Sequence, residues 1–210
     1  MKNLNVTTGI LAIAFVTLIA MSCKDNKKAH NDEDGHHTEM NHDNSDGHHD
    51  KTNSSTNDKR DIEETTQKNA TISPIIDAYI QIKNGLVADN KEDAAKGGEV
   101  MLTAFSNFDI SKLSGETKKE YMEIYESAKE QAEHIVKSPI DHQREHFETL
   151  STDVNDLIAL LGTEKTLYQD FCPMANGGKG AIWLSEFKDI KNPFYGSKMM
   201  TCGKIQKQIN

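Results

Sequence analysis

Apolar residues follow three regimes along the chain. A short apolar run lies near the N-terminus, a polar stretch follows it, and from Ile72 to Leu161 apolar positions recur at helical spacing. Ile72, Ile75, Ile76, Tyr79, Ile80, Leu86 and Val87 predict a first helix, with Ser73 as N-cap and Pro74 at its first position. A second helix is predicted from Lys91 to Phe105 with Asn90 as cap, although Gly97 and Gly98 weigh against it. "FSNFDISKLSG" reads as a connection. Tyr121, Ile124, Tyr125, Ala128, Ala132 and Ile135 share one face of a third helix, from Glu116 to Lys137. "SPID" predicts a fourth start, with Ser138 as cap, Pro139 at the first position and Asp141 completing a capping-box-like pattern; Gly162 ends it after Leu161. Four amphipathic helices on short links predict an all-α fold, an antiparallel four-helix bundle. The segment after Thr163 shows no long period and predicts an irregular Cys/Met-containing C-terminal segment, with a short strand around Ala181–Leu184.

The N-terminal third changes the picture from a bundle to an anchored bundle. Lys2 and the apolar run from Ile10 to Met21 suit a secretory signal peptide, and the run is too short to span a bilayer. It ends at "AMSC", which resembles a degenerate lipobox, so residues 1–22 are expected to be a lipoprotein signal peptide and Cys23 the lipidated residue. Residues 23–70 are dense in Asp, Asn, His, Lys, Ser and Thr and are expected to form a disordered tether, leaving 71–210 as one helical domain. The tether repeats Asp-Gly-His-His, placing His36 and His37, then His48 and His49, beside carboxylates. Such clusters suit Cu(II), Zn(II) or Ni(II).

A formal charge of −9 and a pI of about 5.5 argue against nucleic acid and favour cations. "HQREH", His142 to His146, matches the inverted zincin pattern with Glu145 as base. Helical geometry speaks against it, since His142 turns towards solvent and His146 lies at the edge of the apolar face. His134 also points away from its apolar face, so all three are expected as solvated histidines. No nucleophile–base pair is visible, and the chain is not expected to be an enzyme.

Soft sulfur is concentrated at the C-terminus. Cys172 and Met174 lie in "FCPM", and Met199, Met200 and Cys202 in "MMTCG". Thiolate and thioether ligands select Cu(I) or Ag(I), whereas the close Cys pairs of a zinc site are absent. Residue types alone leave a sulfur metal site, a Cys172–Cys202 disulfide staple and a redox-active pair all open.

From about Ile72 to Gly203 the chain resembles a domain of unknown function found in small bacterial lipoproteins and at the C-terminal end of some copper/silver efflux adaptor subunits. "SPIIDAYIQIKNGLVADN", "QREHFETLS" and "CPMANGGKGAIWLS…IKNPFYGSKMMTCG" carry the resemblance; Phe194 stands where the family often has tyrosine. The resemblance implies a helical domain with a heavy-metal-binding role in copper tolerance, bearing most directly on Cys172, Met174, Met200 and Cys202, with Met199 beside them. The resulting expectation is an envelope lipoprotein facing the periplasm, attached to the membrane by lipid alone. It would bind Cu(I) or Ag(I) for sequestration or hand-over to an efflux adaptor. The competing expectation is a disulfide-stapled interaction module with no metal site in the domain.

Overall fold

A computed structural model describes residues 60–210. Four helices form: α1 (Ser73–Val87), α2 (Lys91–Ser106), α3 (Gly115–Lys137) and α4 (Ile140–Leu161). Among the described residues no helix is long and apolar enough to cross a membrane. The C-terminal segment corrects the all-α expectation. Strands β1 (Leu167–Cys172), β2 (Ala181–Ser185) and β3 (Lys204–Ile209) make an antiparallel sheet in the order β2-β1-β3, so the fold is mixed α/β.

Strand β2 coincides with the short strand expected at Ala181–Leu184. The other two strands hid from the sequence pattern for physical reasons. β1 reads Leu-Tyr-Gln-Asp-Phe-Cys, and an irregularity between Gln169 and Asp170 breaks the period of two. Leu167, Asp170 and Cys172 are therefore its buried positions. β3 reads Lys-Ile-Gln-Lys-Gln-Ile and is mostly exposed, as suits a charged edge strand.

The helices pack as two hairpins, α1 on α2 and α3 on α4. Asn90 caps α2 as expected, its Oδ1 accepting from the Asp93 N–H at 3.1 Å. The other two expected caps do not form. Helix α1 already includes Ser73, whose buried hydroxyl has no partner, and α4 starts at Ile140 with Pro139 in the cap position. Gly97, which argued against α2, is needed there: a Cβ on it would lie 2.7 Å from the backbone nitrogen of Ile82, so the α1–α2 contact requires a hydrogen at that point.

Tyr79 joins the layers. Its ring stacks on Phe147 of α4 at 5.0 Å, and its hydroxyl lies 2.8 Å from Ser151 Oγ. Ser151 donates its own proton to the Phe147 carbonyl, and the Leu184 N–H of β2 donates to the Tyr79 oxygen at 3.0 Å. The Tyr79 proton therefore goes to Ser151, and every donor in the relay has an acceptor.

Residues 60–70, placed by sequence at the end of the tether, run against α4. Arg60 bonds Asp153 at 2.7 Å and Asp156 at 3.0 Å, and Ser127 of α3 donates to the other Asp153 oxygen at 2.7 Å. Asp153 is almost fully buried; desolvation raises its carboxyl, and these donors offset part of that cost.

Replacing Gly97 with alanine would stabilise an exposed helix by about 1 kcal/mol. Here the Gly97→Ala chain is expected to lose about 1–3 kcal/mol through overpacking, read as a lower urea midpoint at unchanged slope.

Candidate metal centre

Pairing of β1 with β3 sets Phe171 opposite Lys204. Cys172, the next residue of β1, and Cys202, two residues before Lys204, are thereby brought together. Their Sγ atoms are 3.0 Å apart, and both are free thiols. Cys172 is fully buried, while Cys202 is half-buried and reachable from solvent.

Cys202 is delivered by a loop organised around the buried Asn192. Its backbone N–H donates to the Met200 carbonyl at 2.8 Å, its side-chain amide to the Cys202 carbonyl at 2.7 Å, and its Oδ1 accepts from the Phe194 N–H at 2.8 Å. Phe194 packs at ring distances of 5.9 Å from Phe147 and 6.0 Å from Trp183. The same loop closes through Gly196, which has φ +54° and sits so close to Asp89 that any Cβ would run into the carboxylate. Arg144 of α4 holds this junction, donating to Asp89, to the Leu86 carbonyl at 3.1 Å and to the Pro193 carbonyl at 3.0 Å. "QREHF" and "NPFYG" are thus two halves of one contact.

The electrostatics differ between the thiols. Burial alone would raise the Cys172 thiol. Hydrogen bonds from Cys202, the Met174 N–H, the Asn192 amide and the Ala175 N–H overcome that and hold it below the usual thiol range. Cys202 is pushed up by its bond to Cys172. Asp170 shares the inward face of β1 with Cys172 and pairs across the sheet with Trp183. Both of its carboxylate oxygens are buried without a partner, and burial raises its carboxyl to about 7.

Of the sulfur residues singled out by sequence, the structure brings Cys172 and Cys202 together. Met174 turns outward at 51% exposure, its carbonyl accepting from the Tyr195 hydroxyl at 2.6 Å. Met199 and Met200 are half-buried in the turn that precedes Cys202, where the Cys202 N–H donates to the Met199 carbonyl at 3.1 Å. Cys23, His36, His37, His48 and His49 lie outside the described residues.

Sequence reasoning missed a third group. His134, His142 and His146, expected as separate solvated side chains, place their ligand nitrogens within 4.8 Å of one another. The usable signal was the two-residue link Ser138–Pro139, which folds the last turn of α3 onto the first turns of α4.

Residues 75–166 match the family described as "Protein of unknown function (DUF3347)". The match spans nearly all of α1 and the rest of the helical bundle, and stops immediately before β1. The sheet and both C-terminal cysteines therefore lie beyond the matched segment. No curated protein and no solved structure matches the chain.

Asp89 offers a pH test of the loop junction. Ser197, through its hydroxyl and N–H, and then Arg144 hold its carboxyl down at about 2, against an ordinary 3.8. A depressed carboxylate contributes stability that is complete above 3.8 and is lost as pH falls through 2. Because the carboxylate is partly solvated, Asp89→Asn is expected to cost only about 1 kcal/mol at pH 6. The difference between parent and variant should shrink below pH 3.8 and vanish as pH falls below 2 in urea unfolding.

Proposed function

We propose that this chain is an exported lipoprotein, attached to a bacterial membrane through Cys23, that binds Cu(I) or Ag(I) at the Cys172–Cys202 pair and passes it on or sequesters it. The observation carrying this reading is the 3.0 Å approach of two free thiols, one buried among N–H donors and one open to solvent. The thiolate is the metal-binding form, and the donors around Cys172 favour it. With metal–sulfur bonds of about 2.3 Å, two thiolates stand about 4.0 Å apart on a trigonal ion and about 4.6 Å apart on a linear one. A side-chain adjustment of about 1.0–1.6 Å would therefore seat a low-coordinate ion between them. Two soft, anionic ligands suit a monovalent thiophilic cation. A low coordination number leaves room for an incoming thioether from a partner such as an efflux adaptor.

Several parts of the reading rest on sequence alone. Met174, Met199 and Met200 serve as neighbouring soft ligands close to the surface. His36, His37, His48 and His49 add a capture segment for divalent copper, zinc or nickel. Export and lipid attachment at the periplasmic side rest on the N-terminal signal.

The same 3.0 Å approach supports a second reading. Loss of two protons and two electrons to an oxidant would join the sulfurs as a staple, and the domain would then act as an envelope interaction module.

Cu(I) titration of the reduced protein against a chromogenic chelator separates the two. The metal reading expects a tight one-to-one component that disappears in a Cys172→Ser/Cys202→Ser version. Equal competition by parent and double variant would sink it. Thiols of the exported protein that become reactive only after reduction would favour the staple.

A further inference from the structure

The histidines gathered by α3 and α4 are unlike the sulfur pair in chemistry and independent of it in position along the chain. His142 and His146 are four residues apart on α4 and so project from one face. His134 comes from the last turn of α3. The ring centroids of His134 and His146 are 4.3 Å apart and nearly parallel, and those of His142 and His146 are 4.5 Å apart and perpendicular.

Hydrogen bonding fixes which nitrogens are free. Nδ1 of His146 lies 2.7 Å from Gln131 Oε1, and Nδ1 of His142 lies 2.6 Å from Glu145 Oε2. Both oxygens only accept, so both Nδ1 atoms carry the proton. In the neutral rings each Nε2 is then a lone pair. These two lone pairs face each other at 3.1 Å, an arrangement that repels unless a cation lies between them. A shared proton would satisfy two nitrogens and leave the third histidine without a role. A metal ion uses all three.

We propose that His134, His142 and His146 bind one divalent first-row cation of the Zn²⁺ or Cu²⁺ class, with Gln131 and Glu145 as the outer hydrogen-bond partners that orient the rings. With metal–nitrogen bonds of about 2.0–2.1 Å, tetrahedral ligation sets nitrogens about 3.3 Å apart. His142 and His146 already meet that spacing. His134 is exposed and reaches it by a side-chain rotation, since all three ligand atoms lie within 4.8 Å. Neutral imidazoles prefer these borderline ions to the softer Cu(I). Three ligands at a solvent-facing helix seam leave the fourth position to water. The carboxylate of Glu145, bonded to the Nδ1–H on the far side of the His142 ring, offsets part of the ion's charge.

Zn²⁺ competition against a chromophoric chelator tests the site in the full chain. The other six of the nine histidines, His30, His36, His37, His42, His48 and His49, are replaced by asparagine to silence the N-terminal segment. This chain is expected to take up one Zn²⁺ with a Kd on the order of micromolar or tighter. Adding His142→Asn and His146→Asn is expected to weaken that binding by about 100-fold or more, and Gln131→Ala alone by about 10–100-fold. Zn²⁺ is also expected to raise the thermal midpoint of the six-histidine variant and not that of the double histidine addition. His142 is exposed and His146 half-buried, and the metal-free midpoints serve as the check that the substituted chains fold. Undiminished binding after the His142 and His146 replacements, or no saturable Zn²⁺ uptake by the six-histidine variant, overturns the assignment.

Discussion

The Tyr79 hydroxyl is the point through which helices and sheet become one body. It is fully buried, accepts from the β2 backbone and donates to a serine of α4, while its ring fills the space beside Phe147. A phenylalanine there would keep the stacking but orphan the Leu184 N–H and remove the Ser151 hydroxyl's donor, and an unsatisfied buried polar group costs about 1–3 kcal/mol. The position of β2 follows from this bond, the position of β1 from its pairing with β2, and the position of Cys172 from β1. The sulfur pair is thus set by a contact made in the first helix.

A second support comes from the opposite side. Arg144 spreads its guanidinium over Asp89, Leu86 and Pro193, so one side chain fixes the end of α1, the start of α4 and the loop carrying Asn192. Asn192 then fixes Met200 and Cys202. Cys172 and Cys202 are held by two chains of contact that meet at the sulfurs and are cross-braced by Phe194 against Phe147 and Trp183 and by the β1–β3 pairing. Such an arrangement defines the distance between them more tightly than a single flexible hairpin would.

The helices were legible because their apolar residues keep a period that burial imposes: Tyr121, Ile124, Ala128, Ala132 and Ile135 are all buried on α3. Most of the sheet was not, since β1 loses its alternation at an irregularity and β3 has hardly a buried face. The meeting of Cys172 and Cys202 was readable only as one of several open possibilities, because no local rule relates residues 30 apart in irregular chain. The histidine trio shows a different blindness. His134 and His142 are exposed and His146 half-buried, in keeping with their places on the two helical wheels. A helical wheel treats one helix at a time, however, and the trio exists only across the seam between two.

The separation of Tyr79 from Leu184 along the chain, 105 residues, also orders events in time. Helical hairpins close through near neighbours and form early, whereas contacts that must first shut a long loop come late. On the same ground the two cysteines, 30 residues apart, are expected to meet through the β1–β3 pairing before the sheet docks on the bundle. A chain caught between those two steps would carry the sulfur pair without the helices behind it.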